Sequence, residues 1–285
     1  MPFLNEMLDR PAPTLKVVDI GAMDVGAPPY APLLQLPGTR IVGFEPNPEE
    51  CARLNAKANP LHTFEPCFVG DGRKRPFHWC EWAATSSLYP PNRPVLERFS
   101  ELTDLVKVKE TVEVQTTRLD DIPGCRGADF VNIDVQGATL DVLRGGPETI
   151  SRALVVHCEV EFVPLYEGEP LFGEVDAEMR RLGFLLHEFS TLARGTFAPL
   201  MLSPGSAPQG QILWTDAIYV RSFLNLKALE PDELLKLAIM VERLYGSRDL
   251  SLLALQHYDE KTGDVLWDRY SSAMTGRVIK RPPLY

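Results

Sequence analysis

Short apolar runs that alternate with helical patterns are the feature that most constrains this chain. Five such runs occupy residues 15–22, 40–46, 64–70, 129–135 and 153–162. Helical patterns follow at 47–58, 138–145 and 171–183. Runs that are apolar throughout indicate strands buried on both faces, and their alternation with helices is typical of a mostly parallel sheet. The sequence therefore predicts an α/β fold with helices on both faces of one sheet.

Other segments add to this predicted core. Two more strands are expected at 184–189 and 211–222, and residues 77–82 and 111–117 are expected to pair as an inserted β-hairpin region around a helix-like piece at 95–106. Two helices, 231–246 and 247–258, carry capping signals. The predicted organisation is a catalytic domain over residues 1–222 and a C-terminal helical appendage over 223–285, which is also a candidate surface for forming a homo-oligomer.

Charge and cysteine content narrow the classes of function. A net charge of −10 argues against nucleic-acid binding, because phosphate recognition needs a basic surface. No apolar run approaches the roughly 20 residues that span a bilayer, and no secretory signal is recognisable at the start, so neither a membrane partner nor export is expected. The five cysteines are widely spread and form no CxxC pair, which favours the reducing cytoplasm.

The carboxyl ends of the predicted strands are all acidic. In an open α/β sheet, ligands bind beyond these ends, so their residues are the candidates for a site. The first five ends carry Asp19, Gly21, Asp24 and Gly26, then Glu45, then Gly70, Asp71 and Gly72, then Asp134, and finally Glu159 and Glu161. No lysine or arginine occurs among them, which argues against an anionic ligand.

This acidity favours S-adenosylmethionine over a dinucleotide as the cofactor. A dinucleotide site needs G-x-G-x-x-G, whereas Met23 replaces the middle glycine, and Asp19 and Asp24 would repel a diphosphate. Glu45 is expected to accept hydrogen bonds from the ribose hydroxyls, and Asp71 to meet the adenine amine. Each feature also has a simpler explanation: the glycines and Asp71 fit plain turns, and Glu45 fits a helix cap.

Several motifs together resemble the FkbM family of S-adenosylmethionine-dependent methyltransferases. They are DIGAMDVG, VGFEPNPEE, VGDG, SSLY, TTRLDD, DFVNIDVQGATLDVLRGG, EVEFVPLYEGEPLF and WTDAIYV, and they extend over residues 15–221. The resemblance implies the class I methyltransferase (Rossmann-like) fold, a seven-stranded sheet whose last strand is antiparallel. It also implies O-methylation of a small-molecule, sugar or glycan acceptor, such as a natural product of secondary metabolism.

Asp134 and Glu159 are the predicted catalytic residues. Methyl transfer to a hydroxyl needs an aligned acceptor and removal of its proton, and a carboxylate at the fourth strand end can do either; it can also hold the cofactor's ammonium group or cap the next helix. The predicted cofactor-binding residues are Asp19, Gly21, Ala22, Met23, Asp24, Gly26, Glu45, Pro46, Asn47, Gly70, Asp71, Ser87, Asp134 and Gln136. Ser87 is placed equally well in a plain turn.

Three alternatives remain open at this level. Asp134, His157, Glu159 and Glu161 together could bind a divalent metal, although no metal is the preferred expectation. A nucleotide-dependent oxidoreductase or epimerase would share the general fold, but the missing middle glycine of G-x-G-x-x-G argues against that class. A non-catalytic binding module would use the C-terminal helices as its partner surface.

Overall fold

The central sheet has seven strands and one reversal of order. The structure, a computed structural model, describes residues 2–100, 102–200 and 210–283. Its sheet has the order β10–β11–β9–β8–β1–β2–β3. The sheet strands are β1 (Lys16–Ile20), β2 (Arg40–Phe44), β3 (His62–Glu65), β8 (Phe130–Ile133), β9 (Val155–Glu161), β10 (Phe184–Gly195) and β11 (Gln211–Arg221). Only β11 runs antiparallel to its neighbours, which confirms the expected sheet.

Strand order reverses at β1, with β2 on one side and β8 on the other. The smaller strands are β4 (Val69–Gly70), β5 (Lys74–Cys80), β6 (Val108–Gln115) and β7 (Thr117–Arg118); β5 and β6 form the predicted antiparallel pair. The helices are α1 (Pro48–Lys57), α2 (Arg93–Leu96), α3 (Thr139–Gly145), α4 (Pro147–Ile150), α5 (Phe172–Arg181), α6 (Pro231–Tyr245), α7 (Arg248–Thr262) and α8 (Leu266–Thr275). A ligand crevice is therefore expected beyond the carboxyl ends of β1 and β8.

The third strand is shorter than predicted. The run at 64–70 was expected to be one strand ending at Gly70, but β3 stops at Glu65 and Val69–Gly70 pairs with β7 outside the central sheet. Pro66 explains the break, because proline has no N–H to donate to a neighbouring strand. Gly70 and Asp71 consequently do not lie at a carboxyl end of the central sheet.

The helix-like piece at 95–106 is also mostly non-helical. Among the described residues of this piece, only Val95 and Leu96, at the end of α2, are helical, and the chain beyond them pairs with a distant segment instead. Phe99 forms a bridge with Phe197, and the Ser100 N–H donates to the carbonyl of Thr196 at 3.1 Å. Long-range pairing has replaced the local helical preference.

The C-terminal helices pack against the central sheet and share its apolar core. Helices α3 and α5 pack on one face, with Val18, Val131 and Val156. On the other face, Val17 and Phe130 share one apolar core with α6 and α7. The predicted boundary between residues 222 and 223 therefore separates segments of a single core. The homo-oligomer through these helices stays a prediction.

Helix α6 occupies the place of a missing crossover helix. Between β1 and β2 the chain forms only a short 3₁₀ turn, Ala31–Gln35, so this connection leaves much of the sheet face uncovered. Most of α6 is buried, including Leu237 and Met240, which have no exposed surface. In the described ranges, no helix combines the length and apolar content needed to cross a membrane.

Helix α8 was not predicted from the sequence. Its first N–H groups are capped from a distance: the Asp259 carboxylate of α7 accepts from the backbone of Leu266 at 3.1 Å and of Trp267 at 3.0 Å. A cap supplied from the previous helix leaves no local capping signal. The Arg281 guanidinium also forms an ion pair with the Asp259 carboxylate, at 2.6 Å.

Replacing Leu237 by alanine tests whether α6 is part of the core. We expect Leu237→Ala to lower the free energy of unfolding of the whole chain by about 2–5 kcal/mol, because it leaves a cavity against the sheet. Leu224→Ala, at a side chain that is 76% exposed, is the control and should change little. Chemical denaturation checks both. Two separate unfolding transitions, of which Leu237→Ala shifts only the smaller one, would show that the C-terminal helices unfold as an independent appendage.

Candidate functional site

The carboxyl ends of β1, β2 and β8 are joined by a close backbone contact. Gly21 has φ +86°, and a Cβ atom there would collide with the carbonyl oxygen of Asp134. The N–H groups of Gly21 and Ala22 both donate to the carbonyl of Phe44 at 3.0 Å, and the N–H of Asp134 donates to that of Ile20 at 2.8 Å. Only glycine fits this position, because it alone accepts both the positive φ and the close approach.

Two cavities open beside this contact. The central cavity has a volume of about 90 Å³, with apolar walls that include Phe68, Phe77, Trp79 and Leu88. The outer cavity, of about 420 Å³, lies under the loop after β1. Of the predicted cofactor residues, those lining one or both cavities are Asp19, Gly21, Ala22, Met23, Asp24, Gly26, Glu45, Pro46, Asp134 and Gln136.

Four predicted cofactor residues do not line either cavity. Asn47 caps α1 by accepting from the N–H groups of Glu49 and Glu50. Ser87 is buried and donates to the backbone carbonyl of Gln136 at 2.5 Å. Asp71 accepts from the N–H of Arg73, and Gly70 lies in the short pair with β7. The structure thus gives these four residues local contacts, and a direct role with a cofactor stays a prediction for each.

Asp19 holds two elements together from a buried position. One carboxylate oxygen accepts from the Tyr30 hydroxyl at 2.5 Å and the other from the Asn132 amide at 2.8 Å. Burial raises the pKa of Asp19, and these hydrogen bonds partly offset the rise. Tyr30 ends the Pro-rich loop after β1, so Asp19 fixes that loop to β1 and β8.

Asp24 is not a free negative charge. Lys57 pairs with it at 2.9 Å, and Arg53 approaches to 3.5 Å. The hydrogen bond and charge of Lys57 lower the pKa of the exposed Asp24. The charge argument against a diphosphate, made from the strand ends alone, therefore rests on Asp19 and not on Asp24.

Glu45 is a buried carboxylate at the end of β2. It is 2% exposed and lines the central cavity, and it accepts from the Asn47 N–H at 2.8 Å. Burial raises the pKa of Glu45 to about 7. A carboxylate in this position can accept hydrogen bonds from a polar ligand at little cost in further desolvation, because most of that cost is already met by the fold.

Gln136 bridges the two predicted catalytic carboxylates. Its amide donates to Asp134 at 2.9 Å and to Glu159 at 2.8 Å. Its backbone has φ +47°, which is rare for a residue other than glycine. Ser87 and Tyr166 hold it there, since the Ser87 hydroxyl binds its carbonyl and the Tyr166 hydroxyl lies 3.3 Å from its side-chain oxygen. Backbone strain of this kind is typical of functional sites, where surrounding contacts hold the residue in its conformation.

A third cavity lies on the far side of Gln136 and Asp134, which line both it and the central cavity. This aromatic cavity has a volume of about 310 Å³. Its lining residues are Val25, Trp82, Ala84, Thr85, Leu96, Leu102, Leu105, Val106, Asp134, Gln136, Glu159, Glu161, Leu165, Tyr166 and Trp214. It shares Val25, Ala84, Asp134 and Gln136 with the central cavity. Asp134 thus lies where a ligand in one cavity would meet a ligand in the other.

The carboxyl groups around the aromatic cavity have raised pKa values. Desolvation is the main cause for each, and the charges of neighbouring carboxylates add to it. The pKa of Asp134 is raised to about 6, that of Glu161 to about 7, and that of Glu159 well above its usual range. The Asp134 side chain faces open cavities, so water moderates its shift, whereas Glu161 is 2% exposed.

Glu169 extends this acidic group behind the cavity. It is 6% exposed, its Oε1 accepts from the Tyr166 N–H at 3.0 Å, and its Oε2 has no hydrogen-bond partner among the described residues. That oxygen lies against Gly137, whose backbone lowers the pKa of Glu161. Burial, with the charge of Glu161, raises the pKa of Glu169 to about 9.

His157 lies on β9 together with Glu159 and Glu161, but its side chain faces the helical layer. Its ring nitrogens are 3.3 Å from the Tyr245 hydroxyl of α6 and 3.6 Å from Asp216. It lines none of the three cavities. Among residues 2–100, 102–200 and 210–283, no group of three or more His, Cys, Asp or Glu side chains is arranged to hold a metal ion.

Several residues of the site were missed from the sequence. Tyr30, Trp82, Asn132, Tyr166 and Trp214 line a cavity or hold an acid in place. Asn132, Tyr166 and Trp214 lie inside the quoted motifs DFVNIDVQGATLDVLRGG, EVEFVPLYEGEPLF and WTDAIYV, so these motifs were a signal for them. Tyr30 and Trp82 lie in loops whose contacts depend on the assembled sheet.

Comparison with known proteins identifies a family. A family model described as the methyltransferase FkbM domain matches residues 19–186. The 2-O-methyltransferase NoeI of Sinorhizobium fredii (strain NBRC 101917 / NGR234) is 30% identical over 176 residues, which cover 57% of this chain and 69% of NoeI.

Two solved structures also resemble this chain, at low similarity. Magnesium protoporphyrin IX methyltransferase (ChlM) from Synechocystis PCC 6803, with bound SAM, has a TM-score of 0.38 at 14% identity, covering 74% of this chain and 71% of that one. Precorrin-6y C5,15-methyltransferase from Geobacter metallireducens GS-15 has a TM-score of 0.37 at 14% identity, covering 73% and 80%.

Glu169 is expected to make stability depend on pH. Its pKa is raised by folding, so the folded state binds its proton more tightly than the unfolded chain, and the resulting stability is lost as pH rises from about 4.3 through about 9. Glu169→Gln keeps the shape without the ionisation, so its free energy of unfolding should fall less over this range. Urea denaturation across pH measures this; parallel curves for the two proteins would contradict it.

Proposed function

Because this chain belongs to the FkbM methyltransferase family, we propose that it transfers the methyl group of S-adenosylmethionine to a hydroxyl group of a small molecule or sugar. The observation that carries the proposal is the meeting of the central and aromatic cavities at Asp134 and Gln136. The 2-O-methyltransferase activity named for NoeI supports an oxygen as the methyl acceptor.

The residues of the central and outer cavities fit S-adenosylmethionine. Glu45 would accept from the ribose hydroxyls, and the apolar walls at Phe68, Phe77 and Trp79 suit a flat adenine ring. Among the described residues, no lysine, arginine or histidine lines the central cavity. When bound, the cofactor supplies a methyl group on a positively charged sulfur.

Asp134 and Glu159 are proposed to divide the roles of base and acceptor-orienting group. Two carboxyl groups whose surroundings separate their pKa values can hold different protonation states at one pH. With a pKa of about 6, Asp134 is mostly ionised at neutral pH and can take the hydroxyl proton, whereas burial and the charge of Asp134 raise the pKa of Glu159 and favour its protonated form, which would orient the acceptor through a hydrogen bond. Gln136 fixes both orientations through its amide.

The cytoplasm remains the proposed compartment. All five cysteines are free thiols, and four of them, Cys51, Cys80, Cys125 and Cys158, are buried. A reducing compartment preserves such thiols. A role in secondary metabolism depends on the identity of the acceptor, because natural products are among the acceptors that the family resemblance implies.

Asp134→Asn tests the proposed base. The asparagine keeps the shape and the contact with Gln136 but accepts no proton, so we expect the rate of methyl transfer to fall about 10²–10⁴-fold. Binding of S-adenosylhomocysteine, measured by isothermal titration, should change much less. Asp121→Asn, at an exposed residue, is the control. A proportional loss of affinity would assign Asp134 to the cofactor, and an unchanged rate would remove it from catalysis.

Glu45→Ala tests the cofactor site independently of the acceptor. Losing a charge-assisted hydrogen-bond acceptor should weaken S-adenosylhomocysteine binding by about 1.5–3 kcal/mol. Glu49→Ala, a change on the exposed side of α1, should leave the affinity unaltered. Equal affinities for the two variants would show that Glu45 does not hold the ribose.

A further inference from the structure

The walls of the aromatic cavity suit a ring with one apolar face. Trp82 and Trp214 line it together with Tyr166, and its aliphatic members include Leu96 and Leu165. Aromatic side chains provide flat apolar contact area with preferred stacking geometries. A volume of about 310 Å³ is at the lower end of the range of about 300–1,000 Å³ for small-molecule sites. The cavity therefore has room for one ring rather than for a large flexible acceptor.

The polar groups of this cavity include no cation. Three carboxyl groups line it, from Asp134, Glu159 and Glu161, and no lysine, arginine or histidine of the described residues does so. Phosphate and carboxylate groups are normally bound by arginine, lysine or helix N-termini. An anionic substituent placed here would lose its hydration without gaining a partner, and it would face ionised Asp134.

Hydroxyl groups are the complement of this lining. The Thr85 hydroxyl is already bonded to the carbonyls of Trp82 and Leu105, and Tyr166 donates to the carbonyl of Thr85. The carboxyl groups of Asp134, Glu159 and Glu161 provide this lining with hydrogen-bonding groups for the hydroxyls of a ligand. Glu159 and Glu161 lie two residues apart on β9, about 6.6 Å along the strand, so they can bind different hydroxyl groups of one ring.

We propose that the acceptor is an uncharged ring compound with several hydroxyl groups and one apolar face, and that the aromatic cavity rejects versions with a phosphate or carboxylate substituent. This inference rests on the proposed function, because it describes the acceptor of the same methyl transfer. Trp82 and Trp214 contact the apolar face, Glu159 and Glu161 bind hydroxyl groups, and Asp134 receives the proton of the hydroxyl that is methylated.

Matched neutral and anionic glycosides test this selectivity. The probes are 4-nitrophenyl glucoside, galactoside and fucoside, with 4-nitrophenyl glucuronide and galactoside 6-phosphate as the anionic partners. Binding to protein saturated with S-adenosylhomocysteine is measured by isothermal titration, and methyl transfer is followed with methyl-labelled S-adenosylmethionine. We expect at least one neutral probe to bind and to accept the methyl group. At pH 8, its anionic partner should bind at least about 10-fold more weakly.

Two variants identify the residues responsible. Glu161→Gln should reduce the difference in binding affinity between the glucoside and the glucuronide, because it removes a charge from the cavity without changing the shape of the cavity. Trp82→Ala should weaken every neutral probe while leaving the melting temperature nearly unchanged, since this side chain is 52% exposed. Leu224→Ala, at a residue that does not line the cavity, is the control for both measurements.

The outcomes separate this inference from the proposed function. Anionic probes that bind as tightly as neutral ones would overturn the charge selectivity. Failure of all neutral probes, with normal binding of S-adenosylhomocysteine, would overturn the acceptor class and leave the cofactor site intact. Failure to bind S-adenosylhomocysteine itself would overturn the proposed function, and with it the basis of this inference.

Discussion

The arrangement of the site depends on the contact between two strand ends, where the backbone at Gly21 passes against the carbonyl of Asp134. This contact sets the separation of β1 and β8 at the point where strand order reverses. It also sets the direction in which the chain leaves β8, into the turn at Gln136 and Gly137, both with positive φ. The cavities on either side of Asp134 follow from that turn. A larger residue at position 21 would therefore disturb cofactor and acceptor sites together.

The second constraint is the cost of placing several carboxyl groups near one another without nearby cations. Desolvation and mutual repulsion both oppose ionisation, and the chain meets this cost by keeping some protons and by sharing the Gln136 amide. The same arrangement prepares the chemistry, because neighbouring acids in unequal surroundings hold their protons unequally. Glu169 is the least satisfied member, with one oxygen that has no described partner. Ligand binding would change the hydration of this group and hence its titration.

Much of the fold was predictable from the sequence because its signals are local. The apolar runs located the sheet strands, and Asn47 marked the start of α1 through its side chain. Glu45 and Asp134 were placed correctly at strand ends because strand boundaries and acidic residues coincide there. The number of strands and the antiparallel direction of the last one required the family resemblance, since spacing alone does not specify either.

What could not be predicted depends on distant contacts. Asp24 is neutralised by Lys57, which lies 33 residues away, so the strand ends alone overstated the negative charge. Helix α8 is capped by Asp259 and α6 replaces a crossover helix; neither relation leaves a local pattern. That replacement also affects how the chain reaches its native state. During synthesis on the ribosome, the apolar face of β1 and β8 remains without its helix until residues 231–245 emerge, so for most of its translation the nascent sheet exposes an apolar surface of the kind that favours aggregation.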